Sequence, residues 1–330
     1  MKNIRILDCT LRDGGYLNSW NFGSDYIRGL ISSLSNSYID IIECGFLTDN
    51  AGNDFERSLY QSTDDLVKYL PENSNSKFAL MVNLGEYDLS KINSDEFEIR
   101  IAFKQYDIDK LSDYLIPLID KRVPFSLNPM HISLYSRKDL ISLIKLANDF
   151  CPVSFTAVDT MGIMTQSDVK NVFSVIDDNL SECIDVGFHS HNNLGLSFDN
   201  VKELFKMNLN RNIVIDSCLS GIGRGGGMLS TEDIAIYLND TYSSFYKLSI
   251  EDYLLNYLKL LNTDNGEPYY LSAKYKCHPN YAKYLYESGV SLYDMEKVFS
   301  SIPEEFKPYY NKTVIKEILD KKNSLVIKEV

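Results

Sequence analysis

Two imidazoles stand two residues apart in His189-Ser190-His191, in a chain of 330 residues that holds only four histidines. On a strand, residues i and i+2 face the same way, so both rings can grip one metal ion from a single strand. A carboxylate as third ligand suits a hard cation such as Mg²⁺ or Mn²⁺, and Asp13, at the end of the first apolar run, is the candidate. Two histidines without a metal are the alternative. Arg12 adds to the case. A metal and a guanidinium can together hold the oxygen of an enolate, the species formed when a proton or a carbon leaves the position α to a carbonyl. Arg keeps its charge at any working pH and presents a fixed fork. A buried structural Arg12–Asp13 pair is the competing reading.

Further polar residues gather where other apolar runs end. Glu43, Lys104, Asn128 and His131 are of this kind, with Lys104 and Asn128 as candidate substrate contacts. Thr160 and Asn193 could bond a substrate carboxylate or simply satisfy local backbone. The glycine run 221–227 with Arg224 inside it is either a close-approach anion site or a flexible turn. His278 by itself reads as structural, and the tyrosines around it as packing residues.

These residues need elements to position them. Apolar runs at 4–11, 39–46, 77–83, 97–104, 123–130, 153–160, 183–190 and 212–219 are of strand length and rich in β-branched or aromatic residues. Helical spacing appears between them at 25–34, 62–69, 109–119, 138–150, 166–179 and 198–207. Apolar strands alternating with helices predict a parallel sheet covered on both sides. Eight such units predict a closed (β/α)₈ TIM barrel, with the site at its C-terminal face. An open doubly wound sheet accounts for fewer strands, and no GxGxxG follows the first run. One or two runs as core helix segments are the remaining alternative. We therefore expect a barrel over 1–240 and a helical C-terminal extension over 241–330, with helices at 250–261, 281–288, 294–300 and 313–320. That extension is expected to pack on the barrel and to close over its mouth.

The formal charge of −13 speaks against nucleic acid or an anionic membrane as partner. An anionic substrate must then be met by a local positive centre. No apolar run is long enough to span a membrane, and the first residues lack the apolar stretch of a signal peptide. The six cysteines form no CxxC pair, and Cys9, Cys44, Cys183 and Cys218 lie in or beside apolar runs. They read as buried thiols in a reducing cytoplasm.

The segments 7–14 (Leu7 to Gly14) and 189–195 (His189 to Gly195) resemble the DRE-TIM metallolyase superfamily, which includes 4-hydroxy-2-oxovalerate aldolase, 3-hydroxy-3-methylglutaryl-CoA lyase, and the isopropylmalate and homocitrate synthases. Residues 158–162 and 216–223 resemble its aldolase branch. The resemblance covers about residues 3–240. It implies a divalent metal on Asp13, His189 and His191, and Arg12 acting on the enolate. Three departures stand out. Met228 occupies the place of an asparagine that often lies at the metal, and a thioether is a poor ligand for a hard cation. Tyr16 stands where the aldolase branch has its general base, and tyrosine is a weak base at neutral pH. His131, Glu43 or His278 would then carry the proton. The lyase branch's loop cysteine is absent. The leading expectation is an aldolase acting on a small 2-keto acid such as pyruvate and an aldehyde. An acyl-CoA-dependent Claisen-type synthase or lyase and an inactive barrel used as a binding subunit are the alternatives. Whether the chain forms a homo-oligomer is left open.

Overall fold

The computed structural model describes residues 3–52, 56–261 and 266–326. Eight strands form the barrel: β1 (Ile4–Asp8), β2 (Ile41–Leu47), β3 (Lys77–Asn83), β4 (Phe97–Phe103), β5 (Phe125–Pro129), β6 (Ser154–Asp159), β7 (Asp185–Ser190) and β8 (Ile213–Ser217). Neighbours pair in parallel. β1 pairs with β8 through Ile4 and Ile213 and with β2 through Leu7 and Ile41, which closes the ring. A two-residue strand, Leu59–Tyr60, extends along β2. β2 and β4 are buried along their whole length, because one face meets the helices and the other fills the barrel interior.

Outside lie α1 (Ser24–Asn36), α2 (Asp64–Val67), α3 (Leu111–Lys121), α4 (Arg137–Phe150), α5 (Gln166–Asn179), α6 (Ser197–Lys206) and α7 (Thr231–Tyr242). Local chemistry sets several starts. Ser136, Thr165 and Ser230 each accept an amide hydrogen bond as N-cap, and Thr165 forms a capping box with Asp168. Two expectations change. The helix expected at 62–69 shrinks to the single turn of α2, and β3 connects to β4 through only the short 3₁₀ turn Leu89–Lys91. β1 also stops at Asp8 rather than 11, since the chain then turns to present Arg12 and Asp13 inward.

In the C-terminal region, α8 (Asp252–Leu261) joins the barrel core through Leu254 and Leu258. The remaining helices α9 (Gly266–Lys274), α10 (Pro279–Glu287), α11 (Leu292–Ser301) and α12 (Lys312–Val326) enclose a second apolar cluster that includes Cys277, Tyr281, Leu285, Phe299 and Ile315. α9 escaped the sequence reading because Gly266 and Pro268 look like breakers. Proline is tolerated in a first helical turn, where its missing N–H has no partner to lose. Cys9, Cys44, Cys218 and Cys277 are buried, but Cys151 and Cys183 are exposed. The buried reading of Cys183 is thus corrected: it precedes β7 instead of lying within it. Among the described residues, no helix is long and apolar enough to cross a membrane.

Candidate active site

The turn after β1 is stitched to its neighbours by the small polar residues of its own motif. Asp8 accepts from the Thr10 amide at 3.0 Å and from the Thr231 hydroxyl at 2.6 Å. Thr10 Oγ1 accepts from the Leu219 amide at 2.8 Å. The Asp13 amide returns to the Cys9 carbonyl at 2.8 Å, and Trp20 Nε1 donates to the Arg12 carbonyl at 2.8 Å. The result is a rigid turn that aims Arg12 and Asp13 into the barrel mouth.

There Asp13 meets both imidazoles of β7. His189 Nε2 lies 3.5 Å from Asp13 Oδ2, and His191 Nε2 lies 3.8 Å from Asp13 Oδ1. One ligand atom from each of the three residues lies within 4.8 Å of the others. Each ring is oriented through its other nitrogen. His189 Nδ1 is 2.8 Å from Asp216 Oδ2, and His191 Nδ1 is 3.0 Å from the Asp159 carbonyl. Such outer partners fix the tautomer and turn Nε2 toward a metal. His191 Nε2 is buried and has no hydrogen-bond partner. Burial pulls the His191 pKa down to about 3 against the pull of Asp13, so the ring is a neutral donor. Burial also opposes the charge on Asp13, but Arg12 and the imidazoles outweigh it and hold the carboxyl well below its ordinary range. An orphaned imidazole nitrogen beside an ionised carboxylate fits a divalent cation, so the donor set expected from sequence is assembled in space.

The cluster belongs to a closed ring of ionic contacts. Arg12 Nη1 bonds Asp13, and Arg12 Nε bonds Glu43 Oε2 at 2.6 Å. Arg100 bonds Glu43 Oε1 at 2.9 Å and Asp216 Oδ2 at 2.7 Å. Asp216 then meets His189, which returns to Asp13. Arg100 and Asp216 had no role in the sequence reading. Glu43 stands apart from the other candidates. Both its oxygens are held by guanidiniums, it is fully buried and it lines neither chamber described below, so it lies behind Arg12 and away from the open space.

Two chambers open above the ring. The inner one, about 50 Å³, is lined by Arg12, Asp13, His189, His191 and Asp216, by Asn128, and by the apolar Phe46, Met81 and Val158. The outer one, about 450 Å³, holds Lys104, His131, Glu86, His278, Asn280, Tyr309 and Tyr310. Tyr16, Asn83, Met130, Thr160 and Arg224 line both. The tail therefore reaches the mouth within the same chain, and it brings Tyr309 and Tyr310, which the sequence reading missed. His131 sits in the left-handed region at φ 57°, its amide bonds Thr160 Oγ1 at 2.8 Å, and its Nδ1 has no partner. Burial, with Arg224 and Lys104, takes the His131 pKa down to about 4. Burial, with Arg224 and His131, takes His278 to about 2. His278 Nδ1 accepts from the Asn280 amide at 3.1 Å as the cap of α10. Burial raises the Tyr16 pKa, so its hydroxyl keeps its proton at neutral pH.

Asn193 also departs from expectation. It lines neither chamber: its Nδ2 donates to the Met161 carbonyl at 2.8 Å and its Oδ1 accepts from the Gly226 amide at 2.6 Å. Its amide is spent on tying the turn after β6 to the glycine loop. That loop is shaped, not loose. A Cβ at Gly227, at φ 90°, would lie 2.4 Å from the Gly221 carbonyl, and one at Gly223 would lie 2.9 Å from Asp13 Oδ1. The Arg224 amide donates to Asp13 Oδ1 at 2.7 Å. Met228 pairs through its backbone with His191 and is buried, but it does not line the inner chamber.

A buried carboxylate and two histidines at the C-terminal mouth of a parallel (β/α)₈ barrel, with an arginine beside them, define a candidate divalent-metal centre. The chain belongs to the HMGL-like family, whose model matches residues 3–248, and so to the DRE-TIM superfamily. It is 24% identical over 232 residues to a 4-hydroxy-2-oxovalerate aldolase of Pseudoalteromonas translucida, covering 68% of this chain and 67% of that one. It is 26% identical over 247 residues to the enzyme of the same name from Chloroflexus aurantiacus, covering 72% and 70%. The fold resembles the N-terminal domain of a Bacteroides vulgatus protein described as an aldolase, with a TM-score of 0.67 and 24% identity over 90% of this chain and 97% of that one.

Proposed function

We propose that this protein is a divalent-metal-dependent aldolase that joins the enolate of pyruvate or a related 2-keto acid to an aldehyde, or runs the reverse cleavage. The observation that carries this reading is the inner chamber, where Asp13, His189, His191 and Arg12 face one small space. The aldolase names of the relatives agree with it. Asp13, His189 and His191 would hold Mg²⁺ or Mn²⁺, which acts as a Lewis acid that polarises the 2-oxo group and acidifies the neighbouring C–H. Arg12, with Nε and Nη1 already fixed, directs its remaining donor at the developing enolate oxygen. Asn128 and the Thr160 hydroxyl contact the keto acid from the chamber wall. Forming the bond removes one proton from C3 and adds one to the aldehyde oxygen. His131, neutral and with an unpartnered nitrogen, takes the first. Tyr16, on the wall common to both chambers, gives the second. Lys104 and His278 contact the acceptor in the outer chamber. A chain of formal charge −13 does not advertise the extended basic groove that an acyl-CoA would need. We place the enzyme in the cytoplasm on the strength of its unpaired cysteines.

The deciding experiment follows deuterium incorporation into the pyruvate methyl group in D₂O by NMR, with Mg²⁺ and without it. Metal-dependent exchange is expected, and its absence with Mg²⁺ and with Mn²⁺ alike would overturn the proposal. A His131→Ala enzyme should lose exchange, whereas Tyr16→Phe should lose carbon–carbon bond formation first.

A further inference from the structure

The outer chamber holds two cations that the protein itself leaves unmatched. In a chain of formal charge −13, most buried arginines are tied to carboxylates: Arg12 to Glu43, Arg100 to Asp216 and Arg211 to Asp177. Lys104 and Arg224 differ. Among the described residues neither has an ion-pair partner, although both face the same cavity. Lys104 Nζ lies 5.4 Å from the centroid of the Tyr106 ring. The Arg224 guanidinium lies 5.3 Å from that of Tyr16 and donates to Asn280 Oδ1 at 2.9 Å, a neutral acceptor. Two carboxylates also line the chamber. Asp107 is matched by Lys110 at 2.7 Å, and Glu86 accepts from Asn83 Nδ2 at 2.8 Å. Two cations against one unmatched carboxylate leave the chamber positive. The same positive field helps hold His131 and His278 neutral.

We propose that the acceptor aldehyde carries an anionic group, a carboxylate or a phosphate, at the end remote from its carbonyl, and that Lys104 and Arg224 bind it. This rests on the aldolase reading above. Arg224 sets the geometry. Its amide is bonded to the metal-site carboxylate Asp13 and its guanidinium to the tail at Asn280. The anion therefore lies about one arginine side chain away from the triad, which suits a short acceptor whose carbonyl enters the inner chamber. Glu86 and Asn83 remain to read hydroxyl groups between the two ends. A two-carbon aldehyde would leave the cations facing water, while the volume of the outer chamber falls within the range of small-ligand sites, roughly 300–1,000 Å³. The bond chemistry is unchanged: the C3 carbon–hydrogen bond breaks, the carbon–carbon bond forms, and the aldehyde oxygen gains the proton.

The test uses the full chain with Mg²⁺ and pyruvate and measures kcat/KM for four aldehydes. Propanal and glyceraldehyde are neutral, succinic semialdehyde carries a remote carboxylate, and glyceraldehyde 3-phosphate carries a phosphate. At least one anionic aldehyde should exceed its neutral counterpart by about 10- to 100-fold, the scale of one charge-assisted hydrogen bond. The better of the two names the anion. In Lys104→Gln and Arg224→Gln that ratio, read within each variant, should collapse toward one, chiefly through KM. If pyruvate exchanges its methyl protons but neutral aldehydes react as well as anionic ones, the inference is wrong while the aldolase reading stands. If the ratio survives both substitutions, the assignment to these residues is wrong. If pyruvate does not exchange at all, both fall.

Discussion

Replacing Arg12 by lysine isolates the role proposed for it on the enolate. Arg12 uses Nε on Glu43 and Nη1 on Asp13, which leaves Nη2 without an acceptor among the described residues. A lysine ammonium keeps the charge but is a single nitrogen and cannot occupy the positions of Nε, Nη1 and Nη2 together. Glu43 keeps Arg100 at 2.9 Å, so the fold loses a contact and not the whole pair. On the proposed mechanism the direct loss is one charge-assisted donor to the substrate oxygen. Removal of a comparable oxyanion donor costs about 10²–10³ in rate, or about 2.7–4 kcal/mol. Arg12→Ala is less informative. Breaking a buried pair outright costs about 3–5 kcal/mol, so a fall in stability would be mixed with a fall in rate. The assay is the initial rate of pyruvate methyl exchange at saturating Mg²⁺, with metal binding measured separately by calorimetry. Arg12→Lys should bind metal and exchange about 10²–10³-fold more slowly. Exchange within a few-fold of wild type would remove Arg12 from the chemistry and restore the reading of a structural pair.

The other predictions test the surroundings. His189→Ala and His191→Ala should each lose stoichiometric Mg²⁺ or Mn²⁺ in metal analysis with little change in far-ultraviolet circular dichroism. Retention of one bound ion by both would displace the site. Asp216→Asn should weaken metal affinity about 10- to 100-fold, the usual cost of losing an outer partner of a ligand histidine, and unchanged calorimetric affinity would refute that role. His131 and His278, which face each other at 5.8 Å between ring centroids, are held neutral below their ordinary range. The folded state therefore binds fewer protons than the unfolded state between about pH 4 and 6.5 at His131. Stability should fall as pH drops through that window, by about 3 kcal/mol for His131 at about 1.36 kcal/mol per unit. Denaturant titrations of His131→Gln should show a flatter pH dependence there, and an unchanged slope would contradict the assignment.

The three candidate metal ligands were legible because their signals are local. Two histidines at strand spacing need only the strand to share a direction, and Asp13 follows a run whose end is visible in the sequence. The closed barrel was legible for a similar reason, since eight apolar runs at regular intervals admit few other arrangements. Arg100 was missed although a signal existed. Glu98, Arg100 and Ala102 alternate with Ile99, Ile101 and Phe103, so Arg100 shares the inward stripe of β4. The high apolar content of the run conceals that stripe. Glu43 and Asn193 were read as chemistry because their residue types permit it, but partners distant in sequence claim their polar atoms: Arg100 for Glu43 and Gly226 for Asn193. Tyr309 and Tyr310 gave no signal at all. Their place depends on Tyr281, whose hydroxyl bonds the Phe306 carbonyl and the Asn311 amide and so carries the 306–311 segment over the barrel.

The charge of the buried ring explains why these parts must occur together. Glu43, Asp13 and Asp216 are opposed by Arg12 and Arg100, so the ring without its histidine carries one excess negative charge. Burial makes such an excess costly unless a cation is near. His189 is the group placed to supply it. Burial opposes its charge, but hydrogen bonds with Asp13 and Asp216 outweigh that and hold its pKa well above the ordinary value. A divalent ion held by Asp13, His189 and His191 would take over that task, since a ligating imidazole must give up its proton. Metal binding at neutral pH should therefore release close to one proton. Calorimetry in buffers of different ionisation enthalpy measures this directly. Asp216→Asn removes both the excess charge and one of the bonds that hold the His189 proton, so it should lower the number released. A wild-type value near zero would mean that His189 is already neutral at pH 7, and the electrostatic account of the ring would fail.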